Sequence, residues 1–300
     1  MDQENNCIFV SSRGILKSCD IYNVSIRKLS NYDFSKLKSG LIIYICSSNI
    51  LRFINTVSEK IKCHYILVSG DCDETIPNDV FSSINGSNVF KDFIDSPKLI
   101  HWFSQNCILT THPKLSQIPI GLDYHTMSTG DHEWGNKITP IEQEKLLFKV
   151  LSNAKPLCNR ECKAYANYHF SMKTKFGSDR IDAMEKIPKE LVHYEQFKIK
   201  RLDTWIEQSK YGFVISPHGN GLDCHRTWEA LVLGCIPIVK SSMLDSLFED
   251  LPVLIVGSWS DVTLELLDRT IKEYQIKQFN LEKLKLSYWI DKILNKKLNF

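Results

Sequence analysis

Residues 211–242 predict the fold most directly, and they read YGFVISPHGNGLDCHRTWEALVLGCIPIVKSS. An apolar run at 212–216 leads into the turn-rich loop PHGNG, and a helix-like segment follows at 224–233. Gly234 stands where that helix would end, and a second apolar run follows at 236–239. This order of strand, glycine loop, helix and strand is typical of a βα unit on a parallel sheet.

The predicted helix at 224–233 divides its side chains between a core side and a loop side. Asp223 directly precedes it and is interpreted as its N-cap, because an aspartate oxygen accepts hydrogen bonds from the free N–H groups at a helix start. Trp228, Leu231 and Val232 are spaced at i, i+3 and i+4, so we predict that they pack against the sheet.

Short apolar runs recur along the whole chain, separated by polar, helix-like stretches. Besides the two runs above, they lie at 41–46, 64–68, 107–110, 164–168 and 253–256. The stretch between the first two of these also carries apolar residues at helical spacing, as expected of a helix that covers a sheet. The alternation predicts an α/β fold built on parallel sheets.

A change of pattern near residue 150 predicts two lobes. The pattern changes around 129–155, where STGDHEWGN is followed by a charged, helix-like segment, and the strand-like run KAYANYHF begins after it. We therefore assign residues 1–150 to an N-terminal lobe and residues 151–300 to a C-terminal lobe. The last forty residues read as two amphipathic helices.

The composition argues against several classes of protein. The 300 residues include 37 Lys and Arg against 35 Asp and Glu, and a formal net charge of +2 offers no strong field for nucleic acid. No apolar stretch approaches the roughly 20 residues that span a bilayer, and the start, MDQENNCIFV, lacks the apolar core of a secretion signal. The ten cysteines are scattered without a CxxC pair, as is typical of reduced thiols. We expect a soluble, cytoplasmic protein that binds neither nucleic acid nor zinc.

Polar residues around the glycine loop form a candidate ligand site. Two glycines permit close approach of the backbone to a ligand, and the start of the next helix presents free N–H groups. Arg226 offers a fork of donors that matches a phosphate, and the Glu229 carboxylate can accept hydrogen bonds from a ribose diol. The alternative is a plain βα turn, with these two side chains as an ordinary i,i+3 surface pair. The candidate residues for a nucleotide are His218, Gly219, Asn220, Gly221, Asp223, Arg226 and Glu229.

This segment resembles a known signature. The pattern S-P-x-G-x-G-x-D-x-x-R-x-W-E-A-L-x-x-G-C-I-P-I is similar to the nucleotide-sugar segment of exostosin-like glycosyltransferases of the GT-B fold, and similar stretches occur in glycosyltransferases of giant DNA viruses. The resemblance implies two Rossmann-like lobes with a cleft between them. It also implies that Arg226 contacts the diphosphate of a donor and Glu229 its ribose. A viral chain of this kind would act in the host cytoplasm.

A second candidate phosphate ligand lies near the start of the C-terminal lobe. The run KAYAN is followed by the loop 171–177, which leads to Arg180 at the start of a predicted helix. An arginine after a strand-end loop suits a phosphate, and the resemblance implies that this loop faces the cleft. The alternative is a solvated basic loop that carries Lys173 and Lys175.

Acidic residues after strands of the first lobe are candidates for a catalytic base. Asp71 and Asp73 follow the run at 64–68, and Asp123 follows a later turn. Ligands of α/β proteins bind at the carboxyl ends of parallel strands, and a carboxylate there can deprotonate an acceptor hydroxyl. We rank Asp71 and Asp73 ahead of Asp123 because their loop contains more acids. Asp123 can equally be a structural cap, and His125 a satisfied polar residue.

These features predict a glycosyltransferase that moves a sugar from a nucleoside diphosphate donor, UDP-sugar favoured, to a hydroxyl of a glycan acceptor with inversion. No metal or other cofactor is expected, because Arg226, Arg180 and a helix N-terminus would stabilise the leaving diphosphate. One alternative is a Mn²⁺-dependent GT-A glycosyltransferase, since Asp71 and Asp73 form the DxD motif of that fold. The other is a protein that binds a nucleotide or sugar phosphate without turnover.

Overall fold

Two separate parallel sheets organise the chain. The computed structural model describes residues 4–34, 39–83 and 86–298, and within these ranges the strands form one sheet of four and one of five. All neighbouring strands in both sheets run parallel. The two-lobed α/β architecture that the sequence predicted, and that a GT-B resemblance implies, is therefore confirmed.

The first sheet has its strands side by side in chain order. They are β1 (Leu41–Cys46), β2 (Tyr65–Gly70), β3 (Leu99–Ser104) and β4 (Leu115–Gln117). β2 is buried along its whole length and β1 nearly so, as expected of parallel strands covered on both faces. The register pairs Cys46 with Gly70, so the carboxyl ends of β1 and β2 meet at one edge.

In the second sheet, the order in which the parallel strands are added reverses in the middle. Its order is β6-β5-β7-β8-β9, with the strands β5 (Glu161–Ala166), β6 (Val192–Tyr194), β7 (Tyr211–Ile215), β8 (Ile236–Lys240) and β9 (Leu254–Val256). The chain leaves β5 for β6 on one side and returns to β7 on the other. Open α/β sheets leave a crevice outside the carboxyl ends of strands at such a reversal.

Helices cover the two sheets, and the predicted core face of the helix after β7 is confirmed. Trp228, Leu231 and Val232 are 1%, 3% and 5% exposed. The helices are α1 (Ser12–Lys17), α2 (Ile26–Leu29), α3 (Ile50–Thr56), α4 (Gly86–Ile94), α5 (His125–Thr129), α6 (Pro140–Asn153), α7 (Gly177–Lys186), α8 (Arg201–Gln208), α9 (His225–Val232), α10 (Leu264–Ile276) and α11 (Leu286–Leu298).

The strand predicted at 107–110 is wrong. The chain leaves the sheet after Ser104, turns at Asn106 with a φ of 46°, and then makes only an isolated bridge between Cys107 and Ile76. The real strand, β3, reads LIHWFS, and its buried His101 interrupts the apolar run that a sequence search requires. β4 and β6 were not predicted because three residues are too few to show a period.

The two lobes share a continuous apolar core. α10 packs on β5 of the second lobe, whereas α11 packs against β2 and β3 of the first. Buried residues of both lobes, such as Phe103, Tyr165 and Trp289, belong to one cluster. In the part of the chain that the structure describes, no helix is long and apolar enough to cross a membrane.

Candidate functional site

An open cleft of about 660 Å³ lies where the two lobes meet, and residues of both lobes line it. Its walls contain every residue of the predicted site except His218. Those lining the cleft are Asp71, Asp73, Asp123, Arg180, Gly219, Asn220, Gly221, Asp223, Arg226 and Glu229. The tertiary structure therefore brings together residues that the sequence spreads over more than half of the chain.

Arg180 is a buried arginine whose guanidinium is held by backbone carbonyls. Its Nε donates to the carbonyl of His218 at 3.1 Å, and its Nη1 donates to the carbonyls of Ser171 and Tyr168. Its Nη2 donates to no described residue and lies beside Gly219, where a Cβ would come within 2.7 Å of it. Glycine at this position leaves space for the guanidinium at the wall of the cleft.

Arg226, on the first turn of α9, brings a second positive charge to the same wall. Its guanidinium lies 6.0 Å from the ring centre of Tyr168, and its Nη1 donates to the carbonyl of Pro217 at 3.4 Å. Burial, followed by the charge of Arg226, lowers the pKa of Arg180. Among the described residues, no carboxylate forms an ion pair with either arginine. Two such arginines at the carboxyl ends of β5 and β7 can bind an anion that carries more than one charge.

Asp223 does not cap α9, contrary to the sequence interpretation. The N-cap residue is Cys224, and its side chain makes no capping hydrogen bond. Oδ1 of Asp223 accepts from Nε1 of Trp228 at 2.8 Å, and Oδ2 accepts from the N–H of Ile120 at 2.7 Å. Burial raises the pKa of Asp223 to about 6. The carboxylate joins α9 to a loop of the first lobe, because its two acceptors reach opposite sides of the cleft.

The polar side chains of His218 and Asn220 in the glycine loop contact residues of the second lobe. His218 does not line the cleft, and its Nδ1 lies 2.9 Å from the carbonyl of Leu222. Oδ1 of Asn220 accepts from the N–H of Lys175 at 3.3 Å. Lys175 is exposed and also forms an ion pair with Asp79 of the first lobe.

Glu229 lies one turn beyond Arg226 on α9 and also lines the cleft. Its side chain is 14% exposed, and burial raises its pKa. The nearest cation is Arg201, whose Nε lies 4.0 Å from Oε1. Since no described residue donates a hydrogen bond to this carboxylate, its oxygens are free to accept from a bound ligand.

Asp71 and Asp73 are exposed on the first-lobe wall, in the loop after β2. Asp71 has a φ of 53°, and its N–H donates to Oε1 of Gln105 at 2.8 Å. Its carboxylate lies 3.6 Å from Nε of Arg13. Asp73 faces the second lobe, since a Cβ on Gly221 would lie 3.3 Å from its Oδ1. Across the described ranges, no group of three or more His, Cys, Asp or Glu side chains could hold a metal ion.

Asp123 and His125 form a pair on the same wall. Nδ1 of His125 lies 3.1 Å from Oδ1 of Asp123, at ion-pair distance but without hydrogen-bond alignment. Burial would raise the pKa of Asp123, but His225, Arg201 and His125 outweigh it and hold this pKa well below its ordinary value. Burial lowers the pKa of His125. At neutral pH an ionised carboxylate therefore stands beside a neutral imidazole.

Arg201, the first residue of α8, is a site residue that the sequence analysis missed. It is 8% exposed, its Nη2 donates to Oδ2 of Asp123 at 2.9 Å, and its guanidinium lies 4.6 Å from the ring centre of Trp134. Its position between Asp123 and Glu229 links carboxylates of the two lobes. An arginine in the segment RLDTWIEQ gives no signal of this, because Asp123 lies 78 residues away in the chain.

Comparisons with known proteins find only distant likenesses. No protein-family model and no curated protein matches the sequence. Among solved structures, the chain is similar to OtsA in its apo form, at 10% identity and a TM-score of 0.41 over 96% of this chain and 74% of that one. It is also similar to an α1,3-fucosyltransferase with GDP, at 13% identity and a TM-score of 0.36 over 95% of each chain. A trehalose-6-phosphate structure from E. coli bound with UDP-2-fluoro glucose is similar at 10% identity and a TM-score of 0.38, over 91% of this chain and 74% of that one.

Proposed function

We propose that the protein is a glycosyltransferase of the GT-B type, which moves a sugar from a nucleoside diphosphate donor to a carbohydrate hydroxyl. One observation carries the proposal: Arg180 and Arg226 both line the cleft where the strand order of the second sheet reverses, and neither forms an ion pair with a carboxylate among the described residues. A diphosphate supplies the negative charge that this pair lacks. Stabilising that charge as the sugar leaves is the main catalytic contribution expected of such a site.

The second lobe holds the donor in this proposal. Its diphosphate lies against the two arginines, and Glu229, one turn further along α9, accepts hydrogen bonds from the ribose diol. We favour a UDP-sugar on the basis of the exostosin-like resemblance. The two arginines then balance the negative charge of the diphosphate without a divalent cation, so we propose that the reaction is metal-independent.

The first lobe supplies the base, and the geometry favours His125. It lines the cleft, its imidazole is neutral because burial lowers its pKa, and the ionised Asp123 stabilises the imidazolium that forms when it accepts a proton. Asp123 itself is a poor base, since its pKa is held low. Asp71 and Asp73 are the alternative bases because they are exposed on the same wall. A base opposite the diphosphate implies inversion at the transferred sugar.

The test is a thermal-shift and saturation-transfer NMR screen against UDP-, GDP- and dTDP-sugars, followed by assays of transfer and of donor hydrolysis with and without EDTA. We expect at least one nucleotide sugar to bind and raise the apparent stability, and to be consumed in the presence of EDTA. Activity lost to the chelator and restored by Mn²⁺ would contradict metal independence and favour Asp71 and Asp73 as ligands. Binding without any turnover would favour a nucleotide-binding protein, and binding of none would overturn the proposal.

A further inference from the structure

A second pocket, of about 330 Å³, adjoins the cleft. Its inner wall is mainly apolar and combines Met127, Ile138, Leu146, Leu202 and Trp205. The charged and polar side chains of Asn136, Lys137, Glu142 and Lys200 also border it. The pocket lies between the first-lobe segment that follows His125 and the helices α6 and α8.

The pocket and the cleft are separated by one partition, which two residues form. Trp134 and Arg201 line both, and they are packed together, with the guanidinium 4.6 Å from the centre of the indole. The N–H of Arg201 donates to the carbonyl of Trp134 at 2.8 Å, which fixes this partition. Arg201 also donates to Asp123, so the partition is in contact with the carboxylate that lies beside His125.

We propose that this pocket binds an apolar, ring-sized group attached to the acceptor sugar, such as the aglycone next to the reactive hydroxyl. The inference rests on the proposed function. It places the acceptor here because Arg201 of the shared partition holds Asp123 beside His125, whereas Arg180 and Arg226 do not border the pocket. Apolar cavities of about 150 Å³ hold a benzene molecule in other proteins, so 330 Å³ accommodates a substituted ring.

The aromatic side chains at the pocket favour a ring as its occupant. Trp205, which lines the pocket, is 3% exposed. The aromatic wall formed by Trp134 provides a face for the ring itself.

The pocket can be tested without any assumption about catalysis. Phenol is the probe, in saturation-transfer difference NMR with the wild-type protein, Leu146→Trp, Leu146→Ala and the control Leu264→Trp. Leu146 borders the pocket, whereas Leu264 is 58% exposed at the start of α10. We expect saturation of the ring protons in the wild type and in Leu264→Trp, its loss in Leu146→Trp, and its retention in Leu146→Ala. No saturation in the wild type, or equal saturation in both Leu146 variants, would overturn the inference.

The acceptor assignment is tested by transfer to matched phenyl and methyl glycosides of common hexoses and pentoses. We expect the phenyl glycoside of the preferred sugar to exceed its methyl counterpart in kcat/KM by about tenfold, as burial of most of a ring provides, and Leu146→Trp to abolish only this preference. Transfer without a phenyl preference would overturn the inference while the proposed function stands. Phenol binding without any glycosyl transfer would instead remove the proposed function and with it the assignment of the pocket to an acceptor.

Discussion

Nη2 of Arg201 donates to Oδ2 of Asp123 at 2.9 Å, and this ion pair joins α8 of the second lobe to the first-lobe wall of the cleft. Both side chains are at least nine-tenths buried, so water screens their attraction little. The pair holds Asp123 ionised beside His125, and the same arginine lies 4.0 Å from Glu229 of the second lobe. The two walls of the cleft are therefore coupled through one guanidinium.

Breaking this pair should destabilise the fold. Arg201→Met leaves the Asp123 carboxylate buried and unpaired, so we expect a loss of about 3 kcal/mol in the free energy of unfolding, measured by urea denaturation. The control is Arg269→Met, which removes an exposed i,i+4 pair with Glu273 and should cost less than about 0.5 kcal/mol. Equal losses of unfolding free energy in the two variants would show that the buried pair stabilises the fold no more than the exposed pair does.

The pH dependence of that stability follows from the lowered pKa of Asp123. Its ordinary value is 3.8, and the folded state holds it lower, so the stabilisation is complete above about pH 4 and is lost as the pH falls through the folded value. We expect the stability difference between the wild type and Asp123→Asn to be constant from pH 6 to 8 and to shrink below pH 4. A difference that grows on acidification would mean that the pKa is raised instead.

The arginine at the start of α9 should control donor affinity. Arg226→Ala should weaken the best nucleotide sugar by about 1.5–3 kcal/mol in calorimetry, since a charge-assisted contact to phosphate is removed, whereas the core face at Trp228 is untouched and the fold persists. The donor affinity of Arg226→Lys, which keeps the charge but not the fork of donors, should lie between those of the wild type and Arg226→Ala. Unchanged affinity in Arg226→Ala would place the diphosphate elsewhere.

Gly219→Ala tests whether Arg180 contacts the donor. A Cβ there would lie 2.7 Å from Nη2 of Arg180 and 3.4 Å from Sγ of Cys224, so the substitution should displace the guanidinium and lower donor affinity about tenfold. Because backbone carbonyls hold this guanidinium, we also expect a lower thermal stability. Gly130→Ala is the matched control, because nothing lies within 4 Å of its Cβ. If both variants bind the donor like the wild type, Arg180 does not contact it.

The identity of the base can be decided by a panel of variants. His125→Gln should lower kcat by about 10²-fold or more with the donor affinity unchanged, because it removes proton transfer and not ground-state binding. Because the pKa of His125 is lowered from 6.5, wild-type kcat/KM should rise with pH only below pH 6.5 and then level off. Asp71→Asn and Asp73→Asn should retain near-normal turnover. A carboxylate base would be identified by a different result. Asp71→Asn or Asp73→Asn would then lose most of its kcat while His125→Gln stays active, and wild-type kcat/KM would rise with pH near pH 4.

The sequence by itself determined the fold class and the grouping of Arg226, Glu229 and the glycine loop on one wall of the cleft. The alternation of apolar runs and helical segments was sufficient because each βα unit is local, and the glycine loop with Arg226 and Glu229 lies within a single such unit. β3 was missed because a buried histidine interrupts its apolar run, and Asp223 was misread as a cap because its acceptors reach Trp228 and the distant Ile120.

Only the tertiary structure decided the grouping of Arg201, Asp123 and His125 in the cleft. Arg201 and Asp123 are 78 residues apart in the chain, and neither their pairing nor the lowered pKa of Asp123 leaves a pattern in the local sequence. The same holds for His125, because the local sequence shows only a polar residue after a turn and gives neither its burial nor its neighbours. The charge, burial and pKa values of groups in a cleft between two lobes depend on residues that come together only in the folded structure.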